Sequence, residues 1–205
     1  MKAKIQHEIQ EYCSLLRLNA ISEHFEEAIK NAADYEGFLH QLLRMEVDAE
    51  EERAKERKIK AAKFPYRKYI EDLELDLLPE AMRKRLPELC SLDFVRESKN
   101  IIMTGNPGTG KTHTAIGLGI KACEQGYRVL YTTIPYLVTE LKESNSQQKL
   151  RAYQKRFEKY DLIIADELGY ISFDREAADL LFTVLSLRAS QKSTIITSNL
   201  TFERW

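Results

Sequence analysis

Residues 105–112, Gly-Asn-Pro-Gly-Thr-Gly-Lys-Thr, constrain this chain more than any other stretch. They match G-x-x-x-x-G-K-[ST], the pattern of a loop that cradles phosphate. At average residue usage, a chain of this length meets that pattern by accident about once in a hundred cases. The flanks reduce the odds further. An apolar run, Ile101-Ile102-Met103, precedes the loop and a helix-compatible run from His113 to Glu124 follows it, which is the strand–loop–helix context the motif requires. Glycine lets the backbone curl so that successive N–H groups face phosphate oxygens, and the helix N-terminus adds its positive end. Gly105, Asn106, Pro107, Gly108, Thr109, Gly110, Lys111 and Thr112 therefore form the expected nucleotide cradle, with His113 beside them. Lys111 is placed to reach the β- and γ-phosphates, and the Thr112 hydroxyl to ligate Mg²⁺. His113 tempts a catalytic role, but one residue past the motif a helical side chain is expected to turn away from phosphate.

From Asn100 onward, apolar runs rich in Ile, Val, Leu, Tyr and Thr alternate with helix-compatible segments. That alternation predicts an α/β fold of P-loop NTPase type, a parallel sheet with flanking helices. Strands are expected at 100–104, 128–132, 161–165 and 193–198, and helices at 111–124, 135–143, 147–159 and 174–189. The run Leu162-Ile163-Ile164-Ala165 ends in Asp166-Glu167. A buried strand of such a sheet delivers its last residues to the edge where ligands sit. Asp166 is expected to hold Mg²⁺, directly or through water, and Glu167 to act as general base toward the attacking water. The β-run Ile195-Ile196-Thr197-Ser198-Asn199 ends in polar residues. Asn199 is the expected sensor of the γ-phosphate or the water, with Ser198 or Thr197 as assistants; the other reading is an ordinary turn asparagine after a strand. ATP and Mg²⁺ are the expected cofactors.

Residues 1–62 read as a small all-helical domain, and 63–205 as the nucleotide-binding domain. Leu15, Leu18, Phe25 and Ala28 mark an apolar face, with a break expected near residue 20. Asp34 is an expected N-cap for a longer helix in which Phe38, Leu39, Leu42, Leu43, Met45 and Val47 follow helical spacing. Between Arg53 and Lys68 eight basic residues face one acid, Glu56. Such a run is either a solvated helix face or a contact for DNA or a partner. Phe64-Pro65 ends the helix, and Pro79 and Pro87 punctuate a lead-in with a short amphipathic piece at Ala81 to Leu86. The net charge of -1 excludes a uniformly basic coat, so nucleic-acid contact must be local. Cys13, Cys90 and Cys123 form no C-x-x-C pair, which argues against a metal knot or disulfide framework. No stretch has signal-peptide character or the length to span a bilayer, so a cytoplasmic location is expected.

Taken together, these residues resemble the IstB-like transposition helper ATPases, relatives of the DnaC and DnaI helicase loaders within the AAA+ class. The resemblance rests on Gly105 to Thr114, on Tyr160 to Tyr170, and on Thr197-Ser198-Asn199-Leu200 with Phe202 and Trp205. In the N-terminal half it rests on Phe38-Leu39-x-x-Leu42-Leu43-x-x-Glu46 and on residues 60–65, Lys-Ala-Ala-Lys-Phe-Pro. It implies an AAA+ fold and ATP-dependent assembly into a helical or ring-like oligomer on duplex DNA. It also implies recruitment of a cognate transposase, with hydrolysis resetting the assembly. A helical insertion after the second strand, here about 135–159, is implied to face DNA through Lys149, Arg151, Lys155, Arg156 and Lys159; the other reading of those cations is a solvated face.

Family members continue past the sensor strand with a helix carrying an arginine finger and a fifth strand beside the phosphate-loop strand. The sequence ends at Trp205, so no arginine finger is assigned, weak hydrolysis is expected, and strand 100–104 is expected to have an open edge. Two other functions stay open: a helicase loader, and a non-hydrolysing module that binds nucleotide and DNA. A small-molecule kinase is disfavoured, because nothing resembles an acceptor lid and the Asp166-Glu167 pair suits water activation.

Overall fold

Four apolar runs pair as strands: β1 (Ile101–Thr104), β2 (Val129–Thr133), β3 (Leu162–Leu168) and β4 (Ser193–Ser198). The computed structural model describes residues 2–169, 174–189 and 191–200, with the side chains of residues 2, 3 and 77 left out. Tyr170, Phe202 and Trp205, which contributed to the resemblance, lie outside the described residues. The strands are all parallel, in the order β1-β4-β3-β2. Leu162, Ile163, Ile164 and Ala165 are all buried. A strand covered on both faces has no solvent side to spend polar residues on, hence its unbroken apolar run.

The helices are α1 (Lys2–Leu16), α2 (Asn19–Asn31), α3 (Tyr35–Ala61), α4 (Glu80–Cys90), α5 (Asp93–Arg96), α6 (Lys111–Glu124), α7 (Ile134–Ser146), α8 (Leu150–Glu158) and α9 (Arg175–Arg188). Along the strands, side chains alternate between two cores. Met103, Ile164 and Ile195 join α6, α5 and the end of α3 on one face, while Ile163 and Ala165 join α7, α9 and Phe157 of α8 on the other. Helix α6 lies very close to the first face. A Cβ on Gly119 would come within 2.7 Å of the Ile164 Cδ1 methyl and 2.9 Å of the Phe64 ring, so any larger residue would push those side chains aside. Capping follows side-chain chemistry: Asp174 accepts from the Ala177 N–H at 2.9 Å, and Asp34 from the Gly37 N–H at 2.7 Å. Gly126, at φ +93°, closes α6 with its N–H on the Cys123 carbonyl.

Several expectations shift. Strand β3 runs on to Leu168 rather than stopping at 165, because β4 continues beside it and the Ser198 hydroxyl donates to the Leu168 carbonyl at 2.8 Å. The short piece at 81–86 is an eleven-residue helix with Pro87 inside it. Proline there removes one N–H from an exposed turn, whereas Leu86 and Leu89 on the other face are buried.

Contacts divide the chain into two units, Met1–Glu56 and Arg57–Trp205. In the first, Phe25, Ala28 and Leu42 form a small core with Ile21 and Phe38. The helix break falls at Arg17, which takes φ +60°. It uncouples α1 from α2, so Leu15 does not share the Phe25 face and is exposed. Leu39, Leu43 and Val47 are also exposed, and only Phe38 and Leu42 of that stripe reach the core. Part of the basic run is spent internally: Arg53 pairs with Glu46 and Glu50, Lys55 with Glu52, and Lys58 donates to the Gly126 carbonyl.

Candidate functional site

Strand order builds the site. After β1 the chain crosses to the far edge and returns, so that β4 inserts between β1 and β3. The carboxyl ends of these three strands then share one rim, the position where open α/β sheets bind ligands.

At that rim β1 gives way to the loop. Gly105, Gly108 and Gly110 have φ of +147°, +80° and +76°. At Gly110 a Cβ would lie 2.7 Å from a terminal methyl of Leu78, so that side chain would have to shift to admit it, and the positive φ itself favours glycine. The Thr109 hydroxyl donates to the Asn106 carbonyl at 2.9 Å, and the Thr114 hydroxyl to the Gly110 carbonyl at 2.9 Å, tying loop to helix. Lys111 is buried, its Nζ donating to the carbonyls of Gly105 (2.8 Å) and Asn106 (2.7 Å). Burial pushes this amine down from its ordinary range, and the charge of Asp166 partly offsets that.

Opposite the loop, Asp166 is 3% exposed and collects three hydroxyls. Its Oδ1 accepts from Thr112 at 3.0 Å and from Thr197, and its Oδ2 accepts from Tyr131 at 2.6 Å. Glu167 takes φ +67° at a register shift between β3 and β4. A non-glycine residue in the left-handed region costs on the order of 1 kcal/mol. The Glu167 N–H is anchored on Thr197 Oγ1 at 3.2 Å. A bulge of this kind re-aims a side chain at the end of a strand, and Glu167 is exposed and lines the same cleft as the loop.

A cleft of about 240 Å³ results, lined by Pro107 to His113, Asp166, Glu167, Thr197 and Asn199. The geometry thus brings the loop, Lys111, Thr112, Asp166 and Glu167 together. Asn199 stands exposed at the lip, while Thr197, expected only to assist, ties Asp166 to Glu167. His113 lines the cleft, but its Nε2 lies 2.9 Å from the Tyr69 carbonyl and fastens the lead-in segment to α6.

Two tyrosines escaped the sequence reading. Burial, the hydrogen bond to Asp166 and its charge push the Tyr131 hydroxyl far up, so it stays a donor. Burial, followed by the charges of Asp166 and Glu167, raises the Tyr66 hydroxyl as well. The available signal for Tyr131 was the polar Tyr131-Thr132-Thr133 end of an apolar run. Only β2–β3 pairing, which sets Thr133 opposite Asp166, reveals what that end faces.

Thr112 Oγ1 and Asp166 Oδ1 are hard oxygen donors on one side of the cleft, a set that fits Mg²⁺ completed by phosphate oxygens and water. Among the described residues no group of three or more His, Cys, Asp or Glu could hold a metal. A two-oxygen seat of this type needs none.

Lys149, Arg151, Lys155, Arg156 and Lys159 lie on or beside α8, all exposed. Arg151, Lys155 and Lys159 recur every four residues and share a stripe. Leu150, Tyr153 and Phe157 occupy the other side and pack on the second core. The Arg156 guanidinium sits 6.0 Å from the Tyr153 ring centre. Among the described residues no helix is long and apolar enough to cross a membrane.

The family described as IstB-like ATP binding protein matches residues 13–205. An insertion sequence IS21 ATP-binding protein of Pseudomonas aeruginosa is 35% identical over 203 residues, covering 97% of this chain and 77% of its own. An insertion sequence IS5376 ATP-binding protein of Geobacillus stearothermophilus is 34% identical over 205 residues, covering 98% and 82%. Among solved structures, DnaI is similar at TM-score 0.56 and 21% identity, over 67% of this chain and 75% of that one. The DnaC helicase loader is similar at 0.52 and 23%, over 73% and 82%. AMPPCP-bound DnaA from Aquifex aeolicus gives 0.55 and 20%, over 65% of this chain and 42% of that one. These likenesses show the P-loop AAA+ fold.

Proposed function

The chain belongs to the IstB-like ATP-binding proteins, and on that premise we propose that it is a Mg²⁺-dependent ATPase that assists a transposase on duplex DNA. The observation carrying the ATPase reading is the convergence of Lys111, Thr112, Asp166 and Glu167 on one cleft. The loop N–H groups and the start of α6 hold phosphate oxygens. Lys111 exchanges the Gly105 and Asn106 carbonyls for the β- and γ-phosphates. Thr112 and Asp166 would hold the metal, which would supply positive charge to offset that of the phosphates. Glu167 accepts a proton from the attacking water, its position set by the bulge and by Thr197, and Asn199 orients that water or the γ-phosphate. The printed names of the relatives, ATP-binding proteins of insertion sequences, support the role in transposition.

The exposed cations of α8 supply a sequence-independent contact to duplex DNA, and ATP-dependent self-association places several such faces along it. The nucleotide part is tested with Glu167→Gln. Nucleotide affinity stays within about two-fold, and turnover falls at least about a hundred-fold, the scale of a positioned general base. A turnover rate unaffected by Glu167→Gln would sink the enzymatic reading. The DNA part is tested by reversing charge at Arg151, Lys155 and Arg156. Affinity for duplex at low salt should drop and its salt dependence flatten; unchanged binding removes α8 from the interface.

A further inference from the structure

We propose that Tyr131 is a positioning residue for the metal seat, fixing the orientation of the Asp166 carboxylate through its hydroxyl; this rests on the nucleotide reading above. The hydroxyls on Asp166 divide between its two oxygens. Among the described residues, Thr112 and Thr197 take Oδ1, on the side of the loop, and Tyr131 takes Oδ2, at 2.6 Å. A carboxylate turns easily about its last torsion, which is broad and two-fold. Donors on Oδ1 alone would leave that rotation open, whereas a donor on each oxygen closes it. The carboxylate is therefore held with Oδ1 toward Thr112 before any ligand arrives.

Tyr131 can impose this because it is itself fixed from three directions. Strand pairing sets its backbone opposite Ile164, two residues before Asp166. Its N–H donates to the Ala62 carbonyl just past the end of α3, at 2.8 Å. Its ring meets Phe64 with centroids 6.3 Å apart and planes at 56°, a tilted aromatic contact. The side chain thus spans from the exit of α3 to the far oxygen of the metal-binding carboxylate. Pre-orientation of this kind appears in ligand affinity, because an untethered carboxylate has to be ordered when metal binds.

The experiment compares a fluorescent ATP analogue binding with Mg²⁺ and with excess chelator, in the wild-type chain and in Tyr131→Phe, alongside thermal melting. Phenylalanine keeps the ring, the Phe64 contact and the backbone bond to Ala62. Expected is a chelator-treated affinity within two-fold of wild type, with the tightening contributed by Mg²⁺ reduced about ten-fold, the scale of one hydrogen bond to a charged group. Tyr131→Met, also lacking the hydroxyl, should lose the same Mg²⁺ increment. An undiminished increment in folded Tyr131→Phe overturns the proposal. Equal weakening with and without Mg²⁺, or failure of both variants to fold, also overturns it by assigning the hydroxyl to the fold. A wild-type chain that binds no nucleotide refutes the underlying function instead, so the two failures are distinguishable.

Discussion

Replacing Thr197 by valine isolates the hydroxyl that joins the two halves of the site. Thr197 is 2% exposed, and valine matches its shape, so packing is retained. One oxygen is lost, and with it two bonds: donation to Asp166 Oδ1 and acceptance from the Glu167 N–H at 3.2 Å. A buried N–H left alone costs about 1–3 kcal/mol, and a hydrogen bond to a charged group contributes about 1.5–3 kcal/mol. Asp166 keeps Thr112 and Tyr131, and water reaches Glu167 from the cleft, so the lower part of the combined range applies, about 3 kcal/mol. In a chain of this size each kcal/mol moves the melting temperature by about 2–4 °C, which gives a fall of about 6–12 °C. The Glu167 backbone, in its left-handed conformation, loses its anchor, and ATP turnover should fall about ten-fold beyond any loss of folded protein. Thr197→Ser keeps the oxygen and should stay within about 1 kcal/mol of wild type. Differential scanning calorimetry and phosphate release read both effects. A Thr197→Val protein that melts and turns over like wild type would refute the assignment.

Arg188 is 3% exposed and donates to the carbonyls of Phe157, Tyr160 and Ser193 at the end of the sheet away from the cleft. Burial lowers its guanidinium to about 10, which leaves it charged at neutral pH; Arg188→Leu should cost about 3–5 kcal/mol in urea unfolding, since three carbonyls lose a charged donor. Asp161 is pushed up by burial, but the Arg128 N–H at 3.0 Å and the Lys192 ammonium at 2.6 Å outweigh that and hold it below the ordinary range. Its folded value thus lies under the unfolded one of about 3.9, so its contribution is complete above that pH and fades as pH falls through the folded value. Wild type and Asp161→Asn should therefore differ in urea midpoint at pH 7 and converge below about pH 4. Gly110→Ala combines φ +76° with a Cβ 2.7 Å from Leu78, and should cost about 1–2 kcal/mol and weaken nucleotide binding in equilibrium titration.

Residue order alone determined whatever depends on neighbours along the chain. The phosphate loop is eight consecutive residues whose glycines, lysine and threonine act within one turn of backbone, so Gly105 to Thr112 were legible as a unit. The apolar runs of the sheet and the Asp34 cap were local in the same sense. The Asp166-Glu167 pair was legible because a buried strand has one place to put terminal acids.

Only tertiary structure decided the rest, because it depends on which strands become neighbours. The insertion of β4 between β1 and β3 carries Thr197 to both acids, and β2 pairing carries Tyr131 to the far oxygen of Asp166. The left-handed turn of Glu167 follows from a register slip between two strands, which neither strand's own residues announce. The exposure of Leu15 has a local cause instead: a left-handed turn at Arg17 breaks the helix and detaches one apolar face from the next. Local conformational preference is short-ranged and can be read from adjacent residues. The meeting of hydroxyls on one buried carboxylate is long-ranged and exists only once the sheet has closed.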